Sequence, residues 1–241
     1  MCFSVEVEKD LKKLAQRFDA ELLIQDESWY EDNKKRAEDR DLVKRALNLA
    51  RKPSSNIFRE PGADQRIFPG YFTNVIMEEN GKRVFKKMRY RVRPSYAKSE
   101  IPTKYNVFNA RIDALETRDT WKNLFMNQHA LLPFKRFYEW VEYNGQKRLV
   151  TFAPQDRSLM WAPCLYDYWE NKKEGIGFYS FAIITDDPPP EVSEMGHDRC
   201  PIFMEERFIS EWLNPKISTK EKIYKDLAKK EPVYYLNQWV A

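Results

Sequence analysis

The sequence predicts an α+β fold: a mostly antiparallel β-sheet core, partly barrel-like, with flanking helices and a helical N-terminal insertion. Three observations lead there. Apolar residues near the N-terminus recur every three to four positions, as one face of a helix requires. From residue 71 onward, short segments alternate in character and meet at Asn-Gly turns. With only seven Gly against seven Trp, 13 Tyr and 15 Phe in 241 residues, the composition favours a packed core over a chain of loops.

In chain order, residues 8–23 (EKDLKKLAQRFDAELL) read as an amphipathic helix, with Leu11, Leu14, Phe18 and Leu22 on one face. A second helical stretch is expected from about Ser28 to Arg51, with Ser28 as N-cap and an apolar face that is clear only from Leu42. Pro53, Ser54 and Ser55 end it, and a loop containing Pro61-Gly62 and Pro69-Gly70 follows. Residues 71–77 predict a strand, Asn80-Gly81 a hairpin turn, and 84–92 its partner strand. Alternation there puts Lys87, Arg89, Arg91 and Arg93 on one face and Met88, Tyr90 and Val92 on the other. Further strands are expected at 137–143, 147–152, 158–163 and 178–184, with a tight turn at Asn144-Gly145. Helices are expected at about 113–126, 204–213 and 219–230. The organisation expected is a single domain over 1–241: a helical insertion at 6–65, a β-rich core at 66–215, and a C-terminal helix and tail at 216–241.

Composition narrows the function. Hydrophobic residues are 42% and charged residues 32% of the chain, and mean hydropathy is −0.73. No apolar run approaches the ~20 residues of a membrane helix. The opening MCFSVEVEKD is acidic where a secretory signal is basic, so a cytoplasmic monomer is expected, at the nucleoid if the source is bacterial. Cys2, Cys164 and Cys200 form no CxxC pair, and His129 and His197 lie 68 positions apart. Neither a metal site nor any other cofactor is expected. Net charge is +4, but residues 82–118 alone carry 11 Lys/Arg against three acids, a net of +8, which points to a polyanion partner.

Several residues are candidates for chemistry. Once Met1 is removed, Cys2 is an N-terminal 1,2-aminothiol, whose amine condenses with an aldehyde and whose thiolate closes a thiazolidine ring; otherwise it is a small hydrophobe. The arginine face at 87–93 suits phosphate, and Tyr90, Tyr96 and Tyr105 beside it suit base stacking, although a solvated strand face explains a charge run equally well. His197, in MGHDRCP, is either a proton carrier or a loop histidine bonded to Asp198. A strand at RFYEWVEY turns Glu139 away from Tyr138 and Trp140, into a partly dry cavity or into solvent. Asn109 is a site residue or an ordinary helix cap.

Taken together, Cys2, RYRVRPSYA (89–97), NAR (109–111), LLPFKRFYEW (131–140), FAIIT (181–185) and GHDRCP (196–201) resemble, in order, the motifs of the SOS-response-associated peptidase (SRAP) family, over about 66–215 plus the first few residues. The resemblance implies recognition of abasic sites in single-stranded DNA and a covalent crosslink through Cys2. Glu139 would shuttle protons, His197 would favour opening of the sugar, and Asn109 would orient cysteine and sugar. Arg89 and Arg111 would hold flanking phosphates, within a DNA-binding set that also includes Lys87, Tyr90 and Arg91. A cysteine-dependent (auto)peptidase and a non-catalytic single-strand binder are the alternatives, the former disfavoured by the absence of a long propeptide before Met1-Cys2. The chain departs from the family pattern at Cys2-Phe3-Ser4 (family Cys-Gly-Arg), Arg89-Tyr90-Arg91-Val92 (Arg-Trp-Gly-Leu), Thr73-Asn74 (Ala-Pro) and Phe134-Lys135-Arg136 (Ala-Asp-Gly).

Overall fold

The computed structural model describes residues 3–22 and 27–240. The chain begins with β1 (Ser4–Val7), α1 (Leu11–Phe18), β2 (Ala20–Glu21), α2 (Glu27–Arg36) and α3 (Arg40–Leu47). Next come β3 (Arg66–Ile67), β4 (Phe72–Glu79), β5 (Lys82–Tyr90), β6 (Asn109–Arg111) and α4 (Asp119–Lys122). The long strands β7 (His129–Tyr143), β8 (Gln146–Pro154), β9 (Met160–Asn171) and β10 (Ile176–Asp186) follow. The chain finishes with α5 (Pro190–Ser193), β11 (Cys200–Pro201), α6 (Ile209–Leu213), α7 (Lys220–Ala228) and β12 (Tyr235–Trp239).

Two hairpins form where Asn-Gly requires them. Asn80 and Gly81 have φ of 53° and 78°, and Asn144 and Gly145 have φ of 51° and 73°. Left-handed backbone at both central residues makes the two-residue turn whose twist matches the flanking strands. The first joins β4 to β5, ending on the pair Glu79↔Lys82, and the second joins β7 to β8, ending on Tyr143↔Gln146.

Five strands close on themselves. β5 pairs β4, β4 pairs β7, β7 pairs β9 and β9 pairs β10, all antiparallel, and β10 returns to β5 in parallel register at Tyr179↔Met88. Closure leaves no free edge in this ring. Ile76, Met88, Leu131, Ala162, Leu165 and Phe181 are fully buried in its main core. The fold is therefore α+β with a largely antiparallel, barrel-forming sheet, as the sequence predicts. Among the described residues no helix is long and apolar enough to cross a membrane.

The 15-residue strand β7 outruns the barrel. Its first half, to Phe134, pairs β9, and its second half pairs β1 on one side and β8 on the other. The extension keeps period-2 alternation: Phe137, Glu139 and Val141 are buried, whereas Trp140 is 46% exposed.

The helical expectations shift in detail. Helix α1 is shorter than residues 8–23, because the Asp10 side chain caps it and Asp19 adopts left-handed backbone at its end. Its Leu14 and Phe18 join the main core, with Phe18 edge-on to Trp161. The single helix expected from Ser28 to Arg51 is two, with Ser28 inside α2 rather than at its cap. The break is at Asp39, whose carboxylate accepts from the backbone N–H of Asp41 at 2.9 Å and Leu42 at 3.1 Å, starting α3 afresh. Together α2 and α3 bury Tyr30, Ala37, Val43, Ala46 and Leu47 in a second cluster against Phe72, Trp169, Ile176 and Phe178. The 113–126 helix is reduced to a 3-10 turn at Ile112–Ala114 and the short α4, and the 204–213 helix opens as a 3-10 turn before α6. Helix α7 lies where expected, capped by Thr219.

Because the Asp39 side chain satisfies two otherwise orphaned N–H groups, Asp39→Ala should cost about 1 kcal/mol. In a chain of this size that corresponds to a melting midpoint lower by about 2–4 °C in calorimetry, and an unchanged midpoint would remove the cap from the account of this break.

Candidate active site

Glu139 is 1% exposed, and its carboxylate Oε2 lies 3.0 Å from Nε2 of His197. Burial raises the Glu139 carboxyl above its usual range, against the opposing pull of His197. The other ring nitrogen, Nδ1 of His197, is 2.8 Å from the carbonyl oxygen of Arg199. The Arg199 backbone N–H also lies 3.3 Å from Nδ1, so Arg199 holds the ring from behind while Nε2 faces Glu139. A 3.0 Å contact between Nε2 and a carboxylate oxygen then needs a proton between them. The two side chains therefore share a proton, with both groups buried.

The N-terminal strand meets this pair. The Phe3 N–H donates to the Tyr138 carbonyl at 3.2 Å, and β1 continues in register with Ser4↔Tyr138. The Phe3 ring packs edge-on against Phe68 at 5.7 Å and Trp140 at 6.4 Å, so an aromatic stands at the position where the family pattern has glycine. The sequence candidate Cys2 lies outside the described residues.

Asn109 is a strand residue, not a helix cap. It is 5% exposed on β6, which continues the line of β5 along β10 with Ile183↔Asn109. Its Oδ1 accepts from the Tyr90 hydroxyl at 3.2 Å. Tyr90 itself is fully buried, stacked on Phe181 and edge-on to Phe108, so its ring is a core element that orients Asn109 and presents no surface to a base.

The expected arginine face does not form. Strand β5 ends at Tyr90, and Arg91 has φ of 136°, in the region that favours glycine, so alternation stops there. Arg89, Arg91 and Arg93 instead converge on Glu100. Arg89 forks onto its carboxylate at 3.0 and 3.2 Å, Arg93 reaches it at 2.9 Å and Arg91 at 3.7 Å. Burial alone would raise the Glu100 carboxyl, but Arg89 and Arg93 hold it at about 2. Arg93, with no exposed surface, lies over the Trp169 ring, and Arg89 lies over Phe178. Lys87 pairs with Glu60. Of the five residues expected to face DNA, Arg111 alone has its side chain substantially exposed, bound at both ends to Asp113 at 3.0 and 2.6 Å.

Sequence reasoning gave no role to Arg199 or Thr185. The Arg199 guanidinium spans Asp187 at 3.2 Å and Asp113 at 3.9 Å, and so shares Asp113 with Arg111, while its carbonyl holds His197. Thr185 is fully buried, in register with Arg111 on one side and Pro201 on the other, and its hydroxyl has no hydrogen-bond partner among the described residues. Both residues lie in segments that resemble the family's motifs, GHDRCP and FAIIT. The signal for Arg199 was its place two residues after His197. His129, by contrast, is a core residue: it stacks on Trp212 at 3.7 Å, and burial depresses its imidazole to about 3.

The end of β10 thus gathers β6 with Asn109 and Arg111, β11 with the loop that carries His197 and Arg199, and, through His197, Glu139 of β7. The closed barrel and the overhang of β7 set a buried Glu139–His197 pair beside the N-terminal strand. The chain belongs to the SOS response associated peptidase (SRAP) family, whose model matches residues 1–239. It is similar to the abasic site processing protein YoqW of Bacillus subtilis, 30% identical over 151 residues, 62% of this chain and 66% of that protein. It is also similar to the chicken abasic site processing protein HMCES, 26% identical over 165 residues, 59% of this chain and 49% of that protein. The chain thus matches just under two thirds of the first relative and about half of the second. Among solved structures, a Bacteroides thetaiotaomicron protein matches with a TM-score of 0.71 at 16% identity, covering 100% of this chain and 92% of that one. A Bordetella bronchiseptica protein matches with a TM-score of 0.70 at 15% identity, covering the whole of both chains. The likeness to these two is one of fold.

The raised Glu139 carboxyl has a thermodynamic signature. The folded protein retains a proton that the unfolded chain loses above its ordinary value of 4.5, so this group favours folding less as pH rises through that window. Glu139→Gln removes the effect. Its stability relative to the parent, from urea unfolding at pH 4 and pH 7.5, should therefore increase with pH; a difference that is constant or falls contradicts a raised carboxyl.

Proposed function

We propose that this protein captures abasic sites in single-stranded DNA as a covalent adduct on Cys2. The observation that carries this reading is the buried, proton-holding Glu139–His197 pair beside Phe3, the residue joined to Cys2. Family membership supports it, as do relatives named abasic site processing proteins.

The chemistry follows from the groups present. An abasic deoxyribose in its open form is an aldehyde. After Met1 is removed, the free amine of Cys2 adds to C1′ and gives a carbinolamine. Loss of its hydroxyl as water needs an acid, and a carboxyl raised by burial is protonated further toward neutral pH than a surface one. The resulting protonated imine accepts the Cys2 thiolate at C1′, and the C=N electron pair returns to a nitrogen that already carries its proton, closing a thiazolidine. Glu139, returned to carboxylate, receives the proton that the thiol gives up, so the cycle balances. Closure consumes the imine that would otherwise promote strand cleavage by β-elimination. His197, fixed through Nδ1, serves the ring oxygen of the closed sugar and exchanges protons with Glu139. Asn109, oriented by Tyr90, and the Thr185 hydroxyl supply hydrogen bonds to the sugar.

Arg111 and Arg199 are the phosphate ligands in this reading. Both are tethered through Asp113, so a phosphate arriving between them exchanges one anion for another. Arg89 and Arg93 are committed to Glu100.

Uracil-containing single-stranded DNA treated with a uracil glycosylase should give a slow band with this protein on a denaturing gel. The mass should be the sum of protein without Met1 and DNA, less one water. Cys2→Ala should abolish the thiazolidine, and Glu139→Gln should slow capture by about 10²–10⁴-fold. Absence of the band from the parent protein, or an equally stable band from Cys2→Ala, would refute the proposal.

A further inference from the structure

We propose that Phe3 is a positioning residue for covalent capture: its ring bridges the strand that carries Glu139 to the turn that supports Asn109, and so sets where the adjoining Cys2 meets the sugar. The inference rests on the capture reading above and names the residue that brings the two sides of the site into register.

Two walls meet at this ring. One is β7, where the Phe3 N–H donates to the Tyr138 carbonyl at 3.2 Å and the ring lies edge-on to Trp140 at 6.4 Å, so that Phe3 touches the residue on either side of Glu139. The other wall is Phe68, edge-on at 5.7 Å. Phe68 opens the Pro69-Gly70 turn, in which Gly70 has φ of 100° and the Tyr71 N–H returns to the Phe68 carbonyl at 2.9 Å. Proline followed by a glycine of positive φ is what such a turn requires. The turn is tied on both sides to Tyr90: the Gly70 N–H donates to the Tyr90 carbonyl at 2.6 Å, and the Tyr90 N–H donates to the Tyr71 carbonyl at 2.7 Å. Tyr90 is the residue whose hydroxyl orients Asn109. Phe3 thus leans on the support of Asn109 and brackets Glu139 at the same time.

The next residue is fixed as well. Ser4 has no exposed surface, and its hydroxyl accepts from Nε of Arg66 at 2.8 Å. The Arg66 guanidinium lies 3.9 Å from the Tyr138 ring centroid and 4.8 Å from that of Phe68, so it joins β1, β7 and the turn from a third direction. The family pattern has glycine at position 3, and glycine makes none of these ring contacts and leaves its own backbone freer. An aromatic there holds a chain terminus that would otherwise be ordered only when the sugar arrives. The amine and the sulfur that must both reach C1′ are a few bonds from the Phe3 nitrogen. Holding that nitrogen raises the fraction of termini in a reacting geometry, an effect that belongs in the rate from the bound complex and not in DNA affinity.

The test separates rate from affinity. Each protein is released from a cleavable N-terminal fusion so that the full chain begins at Cys2, and intact mass confirms it. Crosslinking to an aldehyde-form abasic single strand is followed over a range of DNA concentrations, which gives a maximal rate and a half-saturating concentration. A strand with a tetrahydrofuran analogue, which has no aldehyde, reports binding alone by fluorescence anisotropy. Phe3→Gly should lower the maximal rate at least fivefold, with half-saturation and analogue affinity within twofold of the parent. Phe3→Tyr, which keeps the ring, should react at the parental rate. Phe68→Leu should slow the parent but add nothing in the Phe3→Gly background, because the bridge has already gone. A Phe3→Gly protein that reacts within about twofold of the parent overturns this inference and leaves the proposed function standing. So does a loss confined to affinity, a Phe3→Tyr protein as slow as Phe3→Gly, or fully additive slowing by the two substitutions. A parent that does not crosslink overturns both readings.

Discussion

Everything at the site depends on keeping one carboxyl group out of water. An ionised carboxylate in a dry sheet is costly, and the cost falls only if the group is paired or keeps its proton. Glu139 is paired with His197, and burial favours the protonated form of its carboxyl. That requirement dictates a strand long enough to carry the residue beyond the barrel while β1 and β8 cover it from either side. It dictates equally that His197 be held from behind, which the Arg199 carbonyl does. The barrel supplies the rigidity, and the overhang of β7 supplies the place.

The same economy governs the positive charge. A net of +8 over residues 82–118 reads as an open basic face, yet its centre, Arg89, Arg91 and Arg93, is spent inside the protein. Three guanidinium groups share the carboxylate of Glu100, and two aromatic rings cover them. Such buried arrangements contribute little net stability but fix geometry, because any displaced member leaves an uncompensated charge behind. Arg111 and Arg199 are the contrasting case: their shared Asp113 is itself largely exposed, so the tether is readily exchanged.

The fold class and both Asn-Gly hairpins were legible because each follows from local geometry, and strict alternation set Glu139 opposite Tyr138 and Trp140 without saying which face is buried. What was illegible came from contacts between distant segments. Lys87, Arg89, Arg91 and Arg93 alternate as a surface stripe does, and nothing local says that Glu100 will double back onto them. The break at Asp39 was readable in principle, since Asp before an apolar run is a capping signal, but the surrounding charges hid it. Tyr90 was placed on the correct face of its strand and given the wrong task, because a ring's neighbours depend on barrel closure. Asn109, Glu139 and His197 were each ambiguous by themselves. The contact between Glu139 and His197, 58 positions apart, is what distinguishes the active reading of that pair from the ordinary one.

Arg91 sits where the backbone asks for glycine, and its side chain offsets that cost by donating to the Ile101 and Pro102 carbonyls and joining Arg89 and Arg93 at Glu100. The two residues therefore cannot be exchanged in any order. A glycine at 91 would carry no backbone cost and tolerate loss of Glu100 more easily, whereas an arginine there, deprived of Glu100, keeps its backbone cost and loses part of its compensation. The cost of removing Glu100 therefore depends on what occupies position 91, so the two positions are coupled rather than additive.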